Sequence, residues 1–144
     1  MMPGSGDPDA AVMLANVPYF VGVDEKTRKA VAKEGKLLTY DAGKMIVGEG
    51  GSGVGFYLVL DGKVQVSKGS KVLATLDRGQ FFGEMSVIDG SPRSADVVAL
   101  VPTKCWVLSS WSFSGLVKAH PELAMSMLKE LVKRLRATQT APVS

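Results

Sequence analysis

The chain has 144 residues, is 46% hydrophobic and contains 16 glycines, which excludes a disordered protein and fits one domain burying roughly 68–70% of its unfolded surface. A net charge of +3 is too small to call for nucleic acid by itself, and it suits an anionic ligand without demanding one. The single cysteine permits no internal disulfide, no apolar run approaches a membrane span, and no basic residue precedes Lys26 as a secretory or transit leader would require, so a cytoplasmic protein is expected.

Residues 1–10 hold two prolines and two glycines and are expected to fray. Asp24 fits the N-cap of a helix over Glu25–Lys33, with Ala30 and Val31 facing inward. Strands are expected at Lys36–Tyr40, Met45–Val47, Phe56–Leu60, Val64–Ser67 and Val72–Leu76. Turn signals at Asp41-Ala-Gly43, Asp61-Gly62 and Lys68-Gly-Ser70 separate them. Gly48, Gly50 and Gly53 match the dinucleotide fingerprint, but that motif must open a helix, and here it leads into the strand Phe56–Leu60. It is expected to be a flexible hairpin loop.

Between Phe81 and Ala99 the chain reads FFGEMSVIDGSPRSADVVA. Gly83 has no Cβ, so its amide can approach an anion closely. Glu84–Asp89 fits a short helix whose first amides are donors without intrahelical acceptors. Arg93 adds a planar fork that matches two phosphate oxygens, a charge-assisted bond of roughly 1.5–3 kcal/mol. Pro92 pushes Ser91 into an extended shape that aims the arginine back toward the helix start. Glu84 repels phosphate, and it makes sense if the ligand also presents a hydroxyl donor, such as a ribose 2′-OH. A 3′,5′-cyclic nucleotide offers both groups on one rigid body. On spacing alone, a surface salt bridge between Glu84 and Arg93 on an ordinary hairpin fits equally well.

Further strands are expected at Asp96–Leu100 and Cys105–Leu108, and many short strands at even spacing indicate a sandwich or barrel. Cys105 beside Trp106 reads as core. The period then changes to that of two helices, Trp111–Ala119 and Pro121–Ala137, broken at His120-Pro121. His120, the only histidine, suits a capping or surface place. In the last helix Leu123, Ala124, Met127, Leu128, Leu131, Val132 and Leu135 cover an arc of roughly 180°, beyond the ~100° that one core face needs. A partner helix or a nucleotide base is expected to meet the surplus. Lys129, Lys133, Arg134 and Arg136, with Glu130, are expected on the opposite, solvated face.

The run from Phe82 to Ala99 resembles, without a gap, the phosphate-binding cassette of the cyclic-nucleotide-binding domains, the family of the bacterial catabolite activator protein and the regulatory subunits of protein kinase A. Asn16-Val-Pro-Tyr-Phe20, Glu49-Gly50, Phe56-Tyr57-Leu58-Val59 with Asp61-Gly62, His120-Pro121-Glu122-Leu123 and Arg134-Leu135-Arg136 extend the resemblance over most of the chain. It implies a mainly β fold with flanking helices, an eight-stranded jelly-roll-like β-roll with an N-terminal helix and two C-terminal helices. That domain would span 11–138, between a flexible start at 1–10 and a tail at 139–144.

The resemblance implies that Glu84, with the Gly83 amide, binds the ribose 2′-OH and that Arg93 binds the cyclic phosphate. Amides at Ser86 and Ser94 would complete the cradle, with Met85 and Ala95 inside the same cassette. The Ser94 hydroxyl suits phosphate or a guanine edge, which leaves cAMP and cGMP open, and the likeness to bacterial members favours cAMP. Val66, Leu73 and Phe82 match apolar positions near the base or beneath the cassette, and plain β-roll core suits them equally. Asp96 stands where many relatives carry threonine or a larger residue, so affinity should suffer unless its carboxylate points away from the phosphate. Gly51 replaces a commoner polar residue.

A cyclic-nucleotide sensor that moves its C-terminal helix on binding is the leading expectation, with no metal and no enzymatic activity. Its partners would be a second copy through that helix or an effector protein, with no membrane. DNA is not expected for this chain alone. It enters if the chain is the ligand-binding part of a regulator whose DNA-binding module lies elsewhere. A ligand-free docking module is the third reading.

Overall fold

The computed structural model describes residues 8–51 and 55–138. Eight strands form two four-stranded antiparallel sheets: β1 (Lys36–Tyr40), β2 (Met45–Val47), β3 (Gly55–Asp61), β4 (Lys63–Lys68), β5 (Lys71–Asp77), β6 (Phe81–Phe82), β7 (Asp96–Ala99) and β8 (Thr103–Ser109). One sheet runs β1-β8-β3-β6 and the other β2-β7-β4-β5. Their facing surfaces enclose the roll. Around them lie α1 (Pro8–Leu14), a 3₁₀ turn (Pro18–Phe20), α2 (Glu25–Glu34), α3 (Glu84–Asp89), α4 (Ser110–Ala119) and α5 (Pro121–Ala137).

Period-two alternation divides the apolar residues between two cores. Along β3, Phe56, Leu58 and Leu60 face the helices, while Tyr57 and Val59 face the interior of the roll. Strand β8 repeats the division, with Trp106 and Leu108 outward and Cys105 and Val107 inward. Both faces are covered, which is why Phe56–Leu60 reads as one unbroken apolar run. The helical core adds Leu14, Val17, Tyr19, Phe20, Val31, Ala32, Phe113, Leu116, Leu123 and Met127. The interior core gathers Val47, Val64, Phe82 and Val97 around the fully buried Cys105, whose thiol is pushed up to about 12 by burial.

Most expected boundaries hold, and the departures have local causes. Asp24 does cap α2, accepting from the Thr27 amide at 2.8 Å. The residues it buries are Thr27, Val31 and Ala32, however, while Ala30 is only half-buried. Ala10 lies in the stretch expected to fray, yet it is fully buried on α1. That helix has seven residues, too few for periodicity to reveal. Strand β6 has two residues and is invisible to any strand pattern.

Helix α5 is bolted to the N-terminal elements by specific bonds. Ser126 Oγ donates to the Tyr19 carbonyl at 2.8 Å and accepts from the Gly22 amide at 3.1 Å. Thr27 Oγ1 donates to Glu122 Oε1 at 3.0 Å. Leu123 and Met127 are buried, whereas Met125, Leu128, Val132 and Leu135 are exposed, so part of the apolar arc is indeed surplus to the core. The solvated basic face needs correcting at Arg134. Its guanidinium lies 4.8 Å from the Tyr19 ring and 5.7 Å from the Phe81 ring, and Nε is 2.8 Å from Glu130 Oε2. A cation over two rings gains attraction that bulk water does not offer. His120 sits between the helices, its amide bonded to the Leu116 carbonyl at 2.7 Å and its Nδ1 3.6 Å from Glu122 Oε1.

Gly35 ends α2 with an ordinary φ of −79°, but a Cβ there would overlap the indole of Trp106. That indole is fixed, since its Nε1 donates to the Ala32 carbonyl at 3.0 Å. Gly35→Ala should therefore cost about 1–3 kcal/mol by overpacking, read as a lower urea midpoint. An unchanged midpoint would contradict this packing of Trp106.

Candidate functional site

Helix α3 begins at Gly83, which adopts φ +90°, and its first internal bond runs from the Val87 amide to the Gly83 carbonyl at 3.1 Å. The amides of Glu84, Met85 and Ser86 precede that bond and so lack intrahelical acceptors. They border a cleft of about 200 Å³. Val47, Val66, Phe82 and Val97 supply its apolar wall, and the turn Ser91–Ala95 closes the far side. Val47 and Val97 are register partners across β2 and β7, which sets them side by side.

Arg93 is only 7% exposed, and this removes the surface salt bridge as a reading of Glu84 and Arg93. Its Nη2 donates to the Gly55 carbonyl at 2.8 Å. Its Cζ lies 5.4 Å from the centroid of the Tyr57 ring, which in turn stacks on Phe82 at 4.7 Å and 8°. Burial pushes the guanidinium pKa down, while Tyr57 and Glu84 hold it up. A cation taken this far out of water is costly unless charge and hydrogen bonds compensate.

The Arg93 backbone is held as firmly as its side chain. The Gly50 amide donates to the Arg93 carbonyl at 2.8 Å, and the Arg93 amide donates to the Gly51 carbonyl at 3.3 Å. The glycine-rich loop expected to be a flexible hairpin is therefore tied to the arginine; Gly53 lies outside the described residues. Asp96 Oδ1 accepts from the Glu49 amide at 2.6 Å. Its carboxylate thus serves the same loop and does not line the cleft.

Of the residues singled out from the sequence, Val66, Phe82, Gly83, Glu84, Met85, Ser86, Arg93, Ser94 and Ala95 all border the cleft. Leu73 does not. It lies on β5, an edge strand paired only with β4, and it is half-exposed. The sequence reading missed Val47, Val97 and the Gly55 carbonyl, and it gave Tyr57 no role. The run Phe56–Leu60 is apolar throughout, so the sequence gives no sign of which face of β3 Tyr57 takes. Among the described residues, no group of three or more His, Cys, Asp or Glu side chains could hold a metal ion, and no helix is long and apolar enough to cross a membrane.

Residues 37–120 match the family model described as the cyclic nucleotide-binding domain. The cAMP-dependent protein kinase regulatory subunit of Schizosaccharomyces pombe is 32% identical over 106 residues, covering 73% of this chain and 26% of that protein. The cGMP-dependent protein kinase isozyme 1 of Drosophila melanogaster is 33% identical over 112 residues, covering 72% of this chain and 15% of that one. The chain thus spans about a quarter or less of these relatives. Among solved structures, the N-terminal domain of a transcriptional regulator from Streptomyces coelicolor superposes with a TM-score of 0.82 at 27% identity, covering 88% of this chain and 92% of that one.

Two glycines test the geometry of α3. A Cβ at Gly83 would overlap the Gly55 carbonyl oxygen and lie 2.5 Å from Arg93 Nη1, whereas one at Gly90, which also has positive φ, meets nothing within 4 Å. Gly90→Ala should cost the left-handed backbone alone, about 1–2 kcal/mol. Gly83→Ala should cost about 1–3 kcal/mol more by crowding. Equal losses in thermal or urea unfolding would contradict the close approach of Arg93 to Gly83.

Proposed function

The chain belongs to the cyclic nucleotide-binding domain family, and on that premise we propose that it is a cytoplasmic sensor of a 3′,5′-cyclic nucleotide, cAMP in the first instance, whose occupancy moves α5. The observation that carries this reading is a buried guanidinium set in one cleft with the amides of α3 and the half-buried carboxylate of Glu84. Arg93 and the amides at Ser86 and Ser94 take the cyclic phosphate. Glu84 and the Gly83 amide take the 2′-OH. Met85, Ala95, Val66 and Phe82 border the sugar and base. The Ser94 hydroxyl is exposed and suits phosphate or a guanine edge, so cGMP is the alternative ligand, and relatives named for each nucleotide support both.

The exposed stripe Met125, Leu128, Val132 and Leu135 supports the second half of the reading. It serves as base lid, as a seam with a second copy, or as the surface offered to an effector. A ligand shifts α5 only by its differential affinity for the two positions. The likeness to a regulator's N-terminal domain supports a second reading, in which this domain is the ligand-binding part of a transcription regulator. Steeply salt-dependent binding of duplex DNA by the longer protein is the mark of that case.

Calorimetric titration with cAMP, cGMP and 2′-deoxy-cAMP tests the site. Arg93→Ala should lose about 2–5 kcal/mol, roughly thirty- to several-thousand-fold in affinity. Glu84→Ala should weaken binding and erase the preference for ribose over deoxyribose. Arg93→Ala binding like the wild type would sink the assignment. For the switch, amide exchange in α5 should change when cAMP is added; unchanged protection would leave binding standing and remove the coupling.

A further inference from the structure

Arg93 lies over Tyr57, a ring that the cassette does not supply. Tyr57 on β3 is the register partner of Phe82 on β6, and the two rings stack 4.7 Å apart at 8°. Arg93 Cζ lies 5.4 Å from the Tyr57 centroid, inside the ~6 Å within which a ring face attracts a cation. The Tyr57 and Tyr40 hydroxyls are hydrogen-bonded to each other, and burial pushes both phenols up, so the stack stays neutral. Both tyrosines pack against the interior core beside Phe82.

Two constraints then meet at one guanidinium. The Gly55 carbonyl fixes where Nη2 sits, and the Tyr57 ring lies within cation–π range of the same group. A fork already held in plane loses little freedom when an anion arrives, and this is what raises affinity.

We propose that Tyr57, backed by Phe82 and anchored by Tyr40, is a positioning residue that holds the Arg93 guanidinium in the plane needed to receive an anion. The proposal rests on the reading that this cleft takes a cyclic nucleotide. Tyr57 touches Arg93 and acts through it.

The test begins with calorimetric titration of the wild-type chain with cAMP and with cGMP. Failure of both removes the reading of the cleft, and this proposal with it. With binding established, Tyr57→Leu should lose roughly 3- to 30-fold in affinity, the range of a cation–π contact between exposed and desolvated settings, and Tyr57→Phe should recover most of the loss. Placing one, three or five fluorines on the ring of the Tyr57→Phe variant drains the negative face at nearly constant shape. Affinity should fall step by step along that series. The series also decides the matter if Tyr57→Leu does not fold. Affinity independent of fluorination, with wild-type binding intact, would show that Tyr57 only fills space and would overturn the proposal.

Discussion

A cation inside a β-roll is the constraint on which the rest of the site depends. The Arg93 guanidinium is nine-tenths out of solvent, and its position is over-determined from three sides: the Gly55 carbonyl, the face of Tyr57 and the missing Cβ of Gly83. Each of these imposes something on the sequence. Gly83 must be a glycine for space as well as for its positive φ. Strand β3 must start where its first carbonyl can accept. The loop Gly48–Gly51 must come close enough to bond the arginine's own backbone, and the Asp96 carboxylate holds its base.

The same strands connect the site to the helices. Phe81 and Phe82 are consecutive, so they point to opposite faces of the sheet. Phe82 lies inside under Tyr57, while Phe81 lies outside, stacked on Phe56 at 5.3 Å and 26° with the Arg134 guanidinium above it. Glu84 follows three residues after Phe81, and its charge acts on both guanidiniums: burial lowers the Arg93 pKa and Glu84 opposes it, while Glu130 raises the Arg134 pKa and Glu84 adds to it. For the proposed movement of α5, this two-residue strand is one physical contact between the cleft and the helix; α3 also packs on α4, which packs on α5. The bonds from Ser126 to Tyr19 and from Glu122 to Thr27 hold the first half of α5 to the N-terminal elements. The surplus apolar stripe runs on into its second half.

Much of this was legible in the residues because local rules governed it. The turn glycines, the Asp24 cap, the Pro121 break and the bounds of α3 and α5 are short-range signals, whereas the eight-strand roll came from the family resemblance. The cleft residues from Phe82 to Ser86 and from Arg93 to Ala95 were legible because one contiguous stretch supplies them. Elsewhere the reading failed for identifiable reasons. Leu73 matched an apolar position, but nothing in a sequence says that β5 is an uncovered edge. Arg134 was grouped with the solvated basic residues, yet it stands seven residues after the buried Met127 and so on the same side of α5, where Tyr19 and Phe81 lie beneath it. Tyr57 and the Gly55 carbonyl belong to β3, distant in sequence from the arginine they hold, and a backbone acceptor leaves no mark on residue identity. Asp96 left open where its carboxylate points, and its bond to the Glu49 amide turns it toward the loop.

The central claim is that Arg93 and the start of α3 form a single anion site with Glu84 as its hydroxyl acceptor. A crystal structure of the chain grown with cAMP tests it most directly. The account predicts phosphate oxygens within hydrogen-bond distance of the Arg93 guanidinium and the Ser86 amide, with Glu84 on the ribose 2′-OH and the guanidinium still over Tyr57. A nucleotide bound elsewhere, or one whose phosphate leaves Arg93 untouched in the occupied cleft, would contradict it.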